Sequence, residues 1–372
     1  MPPADARGMV RPLTSLRFLA ATWVLLHHAL PRGGPGSVTE AVGATGWLGV
    51  SLFFVLSGFL LTVRYAPAGA LRGTRRDFWL ERVARLVPAY LLSLAFAALL
   101  FARDARVEGL GAGRVAATVV TVLTGQQAWR PETACAWNCP AWSLSVELWF
   151  YLAFPAVITL AGAWLLGPQR RVRAGVVLLA ALGAAAVMFP TLERAGAGWP
   201  LPVYSLSPLA RWPEFLAGIA LAALIGAWRP RGAAPGWALL AAGLGWIASA
   251  VAMRGPIAAA GLHLLPAALP GFVLVVAACW ALRDQAAPGL DAAPLVLLGE
   301  ASYALYLFHA PLHSYLLAVA NRLVGRGYEE SWALFGVYVA GALALALAVH
   351  RFVELPWRTR LRTRWGLGRA TA

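Results

Sequence analysis

The chain contains no lysine: all 31 basic residues are arginines, set against 16 acidic residues, and the formal net charge is +15. A nucleic-acid-binding protein concentrates its positive charge on one continuous face. Here the arginines fall in separate short segments between apolar runs, as the positive-inside rule produces in membrane proteins. The sequence therefore predicts no nucleic-acid partner and a lipid bilayer around the chain.

Charged residues and cysteines are scarce as well. Only 13% of the 372 residues are charged, 60% are hydrophobic, and the mean hydropathy is +0.67, which excludes a soluble domain. Three cysteines exclude a disulfide framework. Cys135 and Cys139 pair if their loop faces an oxidising compartment and are free thiols otherwise, while Cys279 is predicted to pack in an apolar run. The fold class expected is an all-α, polytopic integral membrane protein.

Apolar windows of about 20 residues predict about ten transmembrane helices. They cover residues 13–31, 46–63, 84–102, 143–166, 174–190, 207–227, 236–253, 263–282, 295–320 and 332–352. Segment 115–124, in the long polar connection 103–142, is predicted to be a short re-entrant or surface helix; a full crossing would invert everything after it. Ten spans with a cytoplasmic N-terminus leave twenty arginines inside and nine outside, which supports this topology.

The predicted organisation is one membrane domain with two short cytoplasmic ends. Residues 1–12 form a cytoplasmic N-terminal segment, 13–352 the transmembrane domain, and 353–372 an arginine-rich cytoplasmic tail. Both termini are therefore expected in the cytoplasm.

The first hydrophobic stretch, Leu13 to Pro31, carries Arg17 near one end and His27 and His28 near the other. Ionisable groups inside a membrane helix are costly and are functional by default. Eleven residues at about 100° each return to within roughly 20° of the starting direction and advance about 16 Å. Arg17 and His28 therefore lie on one stripe of the helix, and His27 lies about 80° away from it.

The fourth predicted helix opens with W-S-L-S-V-E, which places Glu147 about one turn below the outer surface, at the depth of His28. A neutral imidazole can accept a proton from a hydroxyl, and a nearby carboxylate would fix its tautomer. This pattern favours His28 as a general base supported by Glu147. The alternatives are a buried histidine satisfied by a carbonyl and a solvated carboxylate at a helix end.

Arg82 and Arg85 are spaced i, i+3 at the start of the third predicted helix and face one way. Two forked guanidiniums on one face suit phosphate, and the alternative is an anchor on anionic lipid headgroups. With Arg17 at the same membrane surface, a donor with a phosphorylated head and a long thin arm would deliver its reactive end near His28. Acyl-coenzyme A has that shape.

Several ordered motifs resemble those of the bacterial membrane acyltransferase-3 family. R-F-L-A-A-T-W-V-L-L-H-H is similar to its Arg-x10-His signature, with Arg17 and His28 at the two fixed positions. R-V-A-R resembles its cytoplasmic Arg-x-x-Arg element, and W-S-L-S-V-E resembles its Trp-Ser-Leu-x-x-Glu segment. G-V-S-L-F-F-V-L-S-G-F-L-L, R-W-P-E-F-L-A-G, L-G-E-A-S-Y-A-L-Y-L-F-H and F-V-E-L-P-W-R resemble further blocks, so the resemblance covers essentially the whole chain.

The resemblance implies transfer of an acyl group, commonly acetyl, from cytoplasmic acyl-coenzyme A to a hydroxyl of a glycan, glycolipid or secondary metabolite, in the bacterial inner membrane. By this resemblance His28 is the catalytic base with Glu147 in support, and Arg17, Arg82 and Arg85 bind the donor. The same family blocks supply the supporting residues Ser143, Tyr303, Tyr306 and His309.

The chain departs from the family pattern in two respects. Leu148 and Trp149 follow Glu147 where many members are more polar. The sequence shows no C-terminal SGNH-type domain, which argues against the cell-wall relay of members that carry one.

His309 and His313 have a metal-like spacing but no H-E-x-x-H glutamate, so no metal is predicted. A transporter or flippase for an anionic lipid or metabolite is the rival function, although no repeated halves with interrupted helices are found.

Overall fold

The computed structural model describes residues 9–31, 33–34, 36–195, 206–325 and 331–367. Across these residues the chain is helical and contains no strand, which confirms the all-α expectation. Most of the predicted N-terminal segment and the last five residues of the predicted tail lie outside the described residues.

The described part of the chain contains sixteen α-helices. They are α1 (Arg11–Ala29), α2 (Val38–Thr45), α3 (Leu48–Tyr65), α4 (Arg75–Val107), α5 (Ala112–Leu123), α6 (Pro131–Ala134), α7 (Trp142–Leu166), α8 (Arg170–Ala195), α9 (Trp212–Ile225), α10 (Ala234–Ala252), α11 (Arg254–Ala259), α12 (Leu264–Ala281), α13 (Ala293–Glu300), α14 (Ser302–Val324), α15 (Trp332–Val349) and α16 (Leu355–Arg364).

All ten predicted spans coincide with helices, but the count of about ten is not confirmed. Within the described ranges, seven helices are long and apolar enough to cross a membrane, or eight if one bent pair counts as a span. Helix α1 does not qualify, and Arg17 and two histidines lower its hydropathy. Helix α9 has 14 residues, about 21 Å, against a hydrocarbon core of about 30 Å.

The predicted ninth span is two helices instead of one. Helices α13 and α14 meet at Ala301 with a bend of 66°. Helix α13 packs so closely against α1 that a Cβ at Gly299 would lie 2.0 Å from the carbonyl oxygen of Thr14. The bend therefore lets one predicted span both contact α1 near its start and continue as a long helix beside it.

The connection predicted as polar enters the bundle in its second half. Gln127 and Asn138 are 1% and 2% exposed, and Asn138 donates a hydrogen bond to the carbonyl of Leu307 at 3.0 Å. Cys135 and Cys139 form a disulfide in this segment. Helix α5 spans only about 18 Å, which is too short for a full crossing.

Helix α1 occupies the centre of the bundle, where it packs against α3, α12, α13 and α14. Helix α3 in turn packs against α9 at very short range, since a Cβ at Gly58 would lie 2.1 Å from the carbonyl oxygen of Phe215. Small residues permit this approach in membrane helix pairs. Helix α1 is thus flanked by four other helices, with Arg17 half-buried and His28 exposed.

The last helices return along α4. Helix α15 passes through a π-helical turn, His350–Glu354, into α16, and both the turn and α16 pack against α4. Arg362 of α16 forms an ion pair with Glu81 of α4 at 2.9 Å. The start of the predicted tail is therefore a helix held against α4.

Candidate active site

His28 lies in the last turn of α1, and its partner in space is His309 of α14. The Nδ1 atom of His28 is 3.4 Å from Nε2 of His309, and the two ring centroids are 4.9 Å apart. His309 is 1% exposed, whereas His28 is exposed. The pair therefore combines one buried ring with one that a substrate can reach.

The hydrogen bonds of the pair define the tautomers. Nδ1 of His309 is 2.7 Å from the carbonyl of Tyr306, and Nδ1 of His28 is 2.9 Å from the carbonyl of Val24. A carbonyl only accepts, so both Nδ1 atoms carry protons when the rings are neutral. His309 then presents an Nε2 lone pair to the Nδ1–H of His28. The free lone pair of His28 is on its Nε2 atom, as a general base requires.

A second hydrogen-bonded group includes Tyr306, whose backbone carbonyl holds the ring of His309. The hydroxyl of Tyr306 donates to the carbonyl of Pro140 at 2.9 Å, and Ser143 donates to Tyr306 at 2.8 Å. Ser143 and Tyr306 are both 8% exposed. Three of the predicted supporting residues, Ser143, Tyr306 and His309, are thus brought together with His28.

Glu147 differs from its predicted position beside His28. Its carboxylate accepts hydrogen bonds from Ser57, at 2.8 Å, and from Tyr151, and among the described residues neither histidine contacts it. Ser57 lies nine residues along α3, about 14 Å from the start of that helix. Glu147 therefore contacts the middle of α3.

Arg17 is half-buried and lies among charged groups from other helices. It interacts electrostatically with the carboxylates of Glu147 and Glu354 and with the guanidinium of Arg85. Helix α1 is continuous from Arg17 to His28, so the predicted advance of about 16 Å between them holds. Arg17 therefore links the arginine end of the site to the carboxylate of Glu147.

Arg82 is 6% exposed and held by aromatic rings. It donates to the hydroxyl of Tyr65 at 2.6 Å, and its guanidinium lies 5.1 Å from that ring and 5.7 Å from the ring of Tyr151. Tyr151 also donates to Glu147, so Arg82 and Glu147 share a neighbour. Arg85 is half-buried and forms no hydrogen bond or ion pair within the described ranges.

Tyr303 lies within electrostatic range of Glu147 and Glu354 and links two helices. Its hydroxyl donates to the carbonyl of Leu86 in α4 at 3.0 Å. The hydrogen bond joins α14, which carries His309, to the helix that carries Arg82 and Arg85. This contact indicates a structural role for the phenol.

Sequence reasoning missed Ser57, Tyr65, Tyr151 and two residues of the final segment, Glu354 and Arg358. The motif F-V-E-L-P-W-R contained both of the latter, but spacing alone does not place them beside α4. In the structure Glu354 interacts with Arg17, and Arg358 interacts with Arg82 and Arg85.

The arrangement places an exposed imidazole and a group of arginines at opposite ends of one helix, which would suit base-assisted transfer of a group from a phosphorylated donor. The sequence also matches a known protein family. A family described as "Acyltransferase domain" matches residues 13–351. The chain belongs to this acyltransferase family. It is an enzyme that transfers acyl groups, and its helices make it a multi-pass membrane acyltransferase.

Relatives of this acyltransferase extend over most of its length. Acyltransferase MdmB of Streptomyces mycarofaciens is 32% identical, over 93% of this chain and 88% of the relative. Nodulation protein 10 of Rhizobium leguminosarum bv. viciae is 27% identical, over 94% and 93%. Exopolysaccharide production protein ExoZ of Rhizobium meliloti is 28% identical, over 91% and 96%. No solved structure matches the chain.

Proposed function

We propose that the enzyme is an O-acyltransferase that moves an acyl group, most simply acetyl, from cytoplasmic acyl-coenzyme A to a hydroxyl of a glycan, glycolipid or secondary metabolite. The observation that carries the proposal is the His28–His309 pair, with a free Nε2 lone pair on an exposed ring. The proposed setting is the bacterial inner membrane, with both termini in the cytoplasm.

In the proposed reaction, Nε2 of His28 removes the proton from the acceptor hydroxyl as its oxygen attacks the thioester carbonyl. The tetrahedral intermediate collapses, the carbon–sulfur bond breaks, and the imidazolium returns the proton to the departing thiolate of coenzyme A. The Nδ1–H of His28, held by Val24 and His309, keeps the ring oriented through both transfers. The direct reaction uses no covalent enzyme intermediate.

Delivery of the donor follows from the other end of α1. Arg17, Arg82 and Arg85 would bind the phosphorylated head, and the pantetheine arm would run along α1 toward His28, about 16 Å away. Glu147, hydrogen-bonded to Ser57 and Tyr151, would hold Arg17 and Tyr151 in place. Ser143, Tyr303 and Tyr306 would support the helices that carry the site.

The acceptor class is suggested by the relatives. Their names include an exopolysaccharide production protein and a putative peptidoglycan O-acetyltransferase of Bacillus subtilis, YrhL, which is 31% identical over 48% of this chain and 28% of its own length. Both names concern carbohydrate polymers, which are rich in hydroxyls. A glycan or glycolipid hydroxyl is therefore the first acceptor to test.

The deciding experiment measures transfer of radiolabelled acetyl from acetyl-coenzyme A into membrane lipid and glycan fractions. We expect His28→Ala to lose at least about a hundredfold in rate, the usual contribution of a general base. His27→Ala is the matched control, because His27 is the neighbouring exposed histidine and its Nδ1 contacts the carbonyl of Gly43 instead. Equal labelling by the two variants would contradict the assignment of His28.

Labelling that is absent even in the wild type would count against acetyl-coenzyme A as the donor. Flux of an anionic lipid or metabolite without acyl transfer would instead support the transporter alternative.

A further inference from the structure

The end of the chain adds a third arginine to the two of α4. Arg362 and Glu81 form an ion pair between α16 and α4. The two helices run in opposite directions, since α4 leads away from the predicted cytoplasmic side and α15–α16 leads back to it. One helical turn from the ion pair, four residues earlier on α16 and four later on α4, the residues are Arg358 and Arg85. Two like charges are therefore opposed directly beside an opposite-charge pair.

The electrostatic neighbours of Arg358 agree with this register. Arg358 interacts most strongly with Arg85, then with Arg82, and the one carboxylate that interacts with it is Glu81, which is already paired with Arg362. Arg82 and Arg358 each have a buried Nε atom without a hydrogen-bond partner among the described residues. A buried N–H group without a hydrogen-bond acceptor costs free energy, so such groups usually have an acceptor.

These contacts leave three guanidiniums in one half-buried place with a charge excess. Arg82 has a phenol and aromatic rings as neighbours, Arg85 has no ion pair in the described part of the chain, and Arg358 shares the carboxylate of Glu81. Like charges that face each other destabilise a helix pair, and an anion between them would relieve the repulsion. Forked guanidiniums bind phosphate oxygens two at a time.

We propose that Arg358 of α16 joins Arg82 and Arg85 in one anion site, and that the site takes the diphosphate of the acyl-coenzyme A donor. The inference rests on the proposed function and adds the final helix to the donor site. The diphosphate is the group directly attached to the pantetheine arm, so it belongs where the arginines are most deeply placed. Arg82, at 6% exposure, marks that place.

The test measures equilibrium binding of radiolabelled coenzyme A to the full-length protein in lipid-free nonionic detergent. Arg358→Gln is expected to weaken binding about tenfold, as the loss of a charge-assisted hydrogen bond would. Arg360→Gln removes the same charge from the same helix at an exposed position over Trp357 and is expected to bind within about twofold of the wild type. Arg358→Lys, which keeps the charge and loses the fork, is expected to fall between them.

Two further measurements separate this role from others. With 3′-dephospho-coenzyme A the penalty of Arg358→Gln is expected to remain about tenfold; its disappearance would assign Arg358 to the 3′-phosphate and overturn the diphosphate site. Without ligand, the Tm of Arg358→Gln is expected to be no lower than that of the wild type, because a repulsion is removed. A lower Tm together with unchanged binding would make Arg358 structural and overturn the inference.

The outcomes also distinguish this inference from the proposed function. Wild-type protein that binds coenzyme A while Arg358→Gln binds equally well would remove only the role of Arg358. Wild-type protein that neither binds coenzyme A nor transfers acetyl would remove both. Loss of affinity only when anionic lipid is added back would identify a headgroup as the occupant and would also contradict the diphosphate site.

Discussion

The two ends of α1 hold groups of opposite character. At the His28 end, each neutral ring and hydroxyl has a defined donor and acceptor, from Ser143 through Tyr306 to the two histidines. At the Arg17 end, arginines from three helices approach each other, and two buried Nε atoms have no partner in the described part of the chain. Within the described ranges, the first group leaves only the Nε2 atom of His28 without a partner, while the second has an excess of positive charge that an anion would balance.

This difference assigns different chemistry to the two groups. A hydrogen-bonded chain with fixed tautomers orients a base at little reorganisation cost. A cluster of cations with unpaired donors binds a polyanion and is stabilised by it. Variants at the histidine end should therefore act on kcat, and variants at the arginine end should act on KM for the donor.

The largest effect on this comparison is expected at His309. Replacement by alanine removes the acceptor for the Nδ1–H of His28 and should lower kcat about a hundredfold with the donor KM nearly unchanged. Steady-state acetyl transfer measures both constants. His309→Gln, whose amide can still accept a hydrogen bond, is the conservative control and should retain more activity. A rise in the donor KM alone would contradict the assignment of kcat effects to the histidine end and of KM effects to the arginine end.

At the arginine end the corresponding change is Arg82→Gln. It removes the guanidinium held by Tyr65 and should raise the donor KM about thirtyfold, with a smaller effect on kcat. Arg76→Gln is the matched control, because Arg76 lies in the same helix at an exposed position. If kcat fell while KM stayed constant, Arg82 would act in the chemical step, and the proposed difference between the two ends of α1 would be contradicted.

A substitution at Glu147 tests to which of the two groups this residue belongs. Glu147→Gln keeps the shape and a hydrogen-bond acceptor for Ser57 and Tyr151 but removes the charge that interacts with Arg17. We expect about a tenfold rise in the donor KM, because Arg17 loses one of the two carboxylates that interact with it. The same measurement for Ser57→Ala should show a smaller change. A loss confined to kcat would return Glu147 to the role beside His28 that the sequence suggested.

The smallest effect is expected for Tyr306→Phe. It removes the hydroxyl bonded to Pro140 and Ser143 but leaves the backbone carbonyl that fixes His309. The expected loss is about threefold in kcat, with about 1 kcal/mol in the free energy of unfolding. Thermal unfolding and acetyl transfer on the same preparation measure the two quantities. A hundredfold loss would show that the hydroxyl, and not the carbonyl, sets the geometry of His309.

Local sequence determined the features that depend on one helix. Arg17 and His28 lie on one stripe because eleven residues complete nearly three turns, and α1 is continuous between them. Arg211 and Glu214, spaced i, i+3, form an ion pair at 3.0 Å, which is a contact between neighbouring turns. Each of the ten apolar windows coincides with helix, because apolar length is a local property of the chain.

Packing between distant segments decided the rest. The partner of His28 is 281 residues away, and nothing in the spacing of either motif specifies that α13 and α14 bend so that His309 meets it. Glu147 accepts a hydrogen bond from Ser57, 90 residues earlier in the chain, and no local spacing specifies that contact. Arg358 reaches Arg85 through an antiparallel contact of α16 with α4. The sequence by itself determined which residues carry charge and the helix on which each lies, while contacts between helices, which no local period encodes, decided which of them meet.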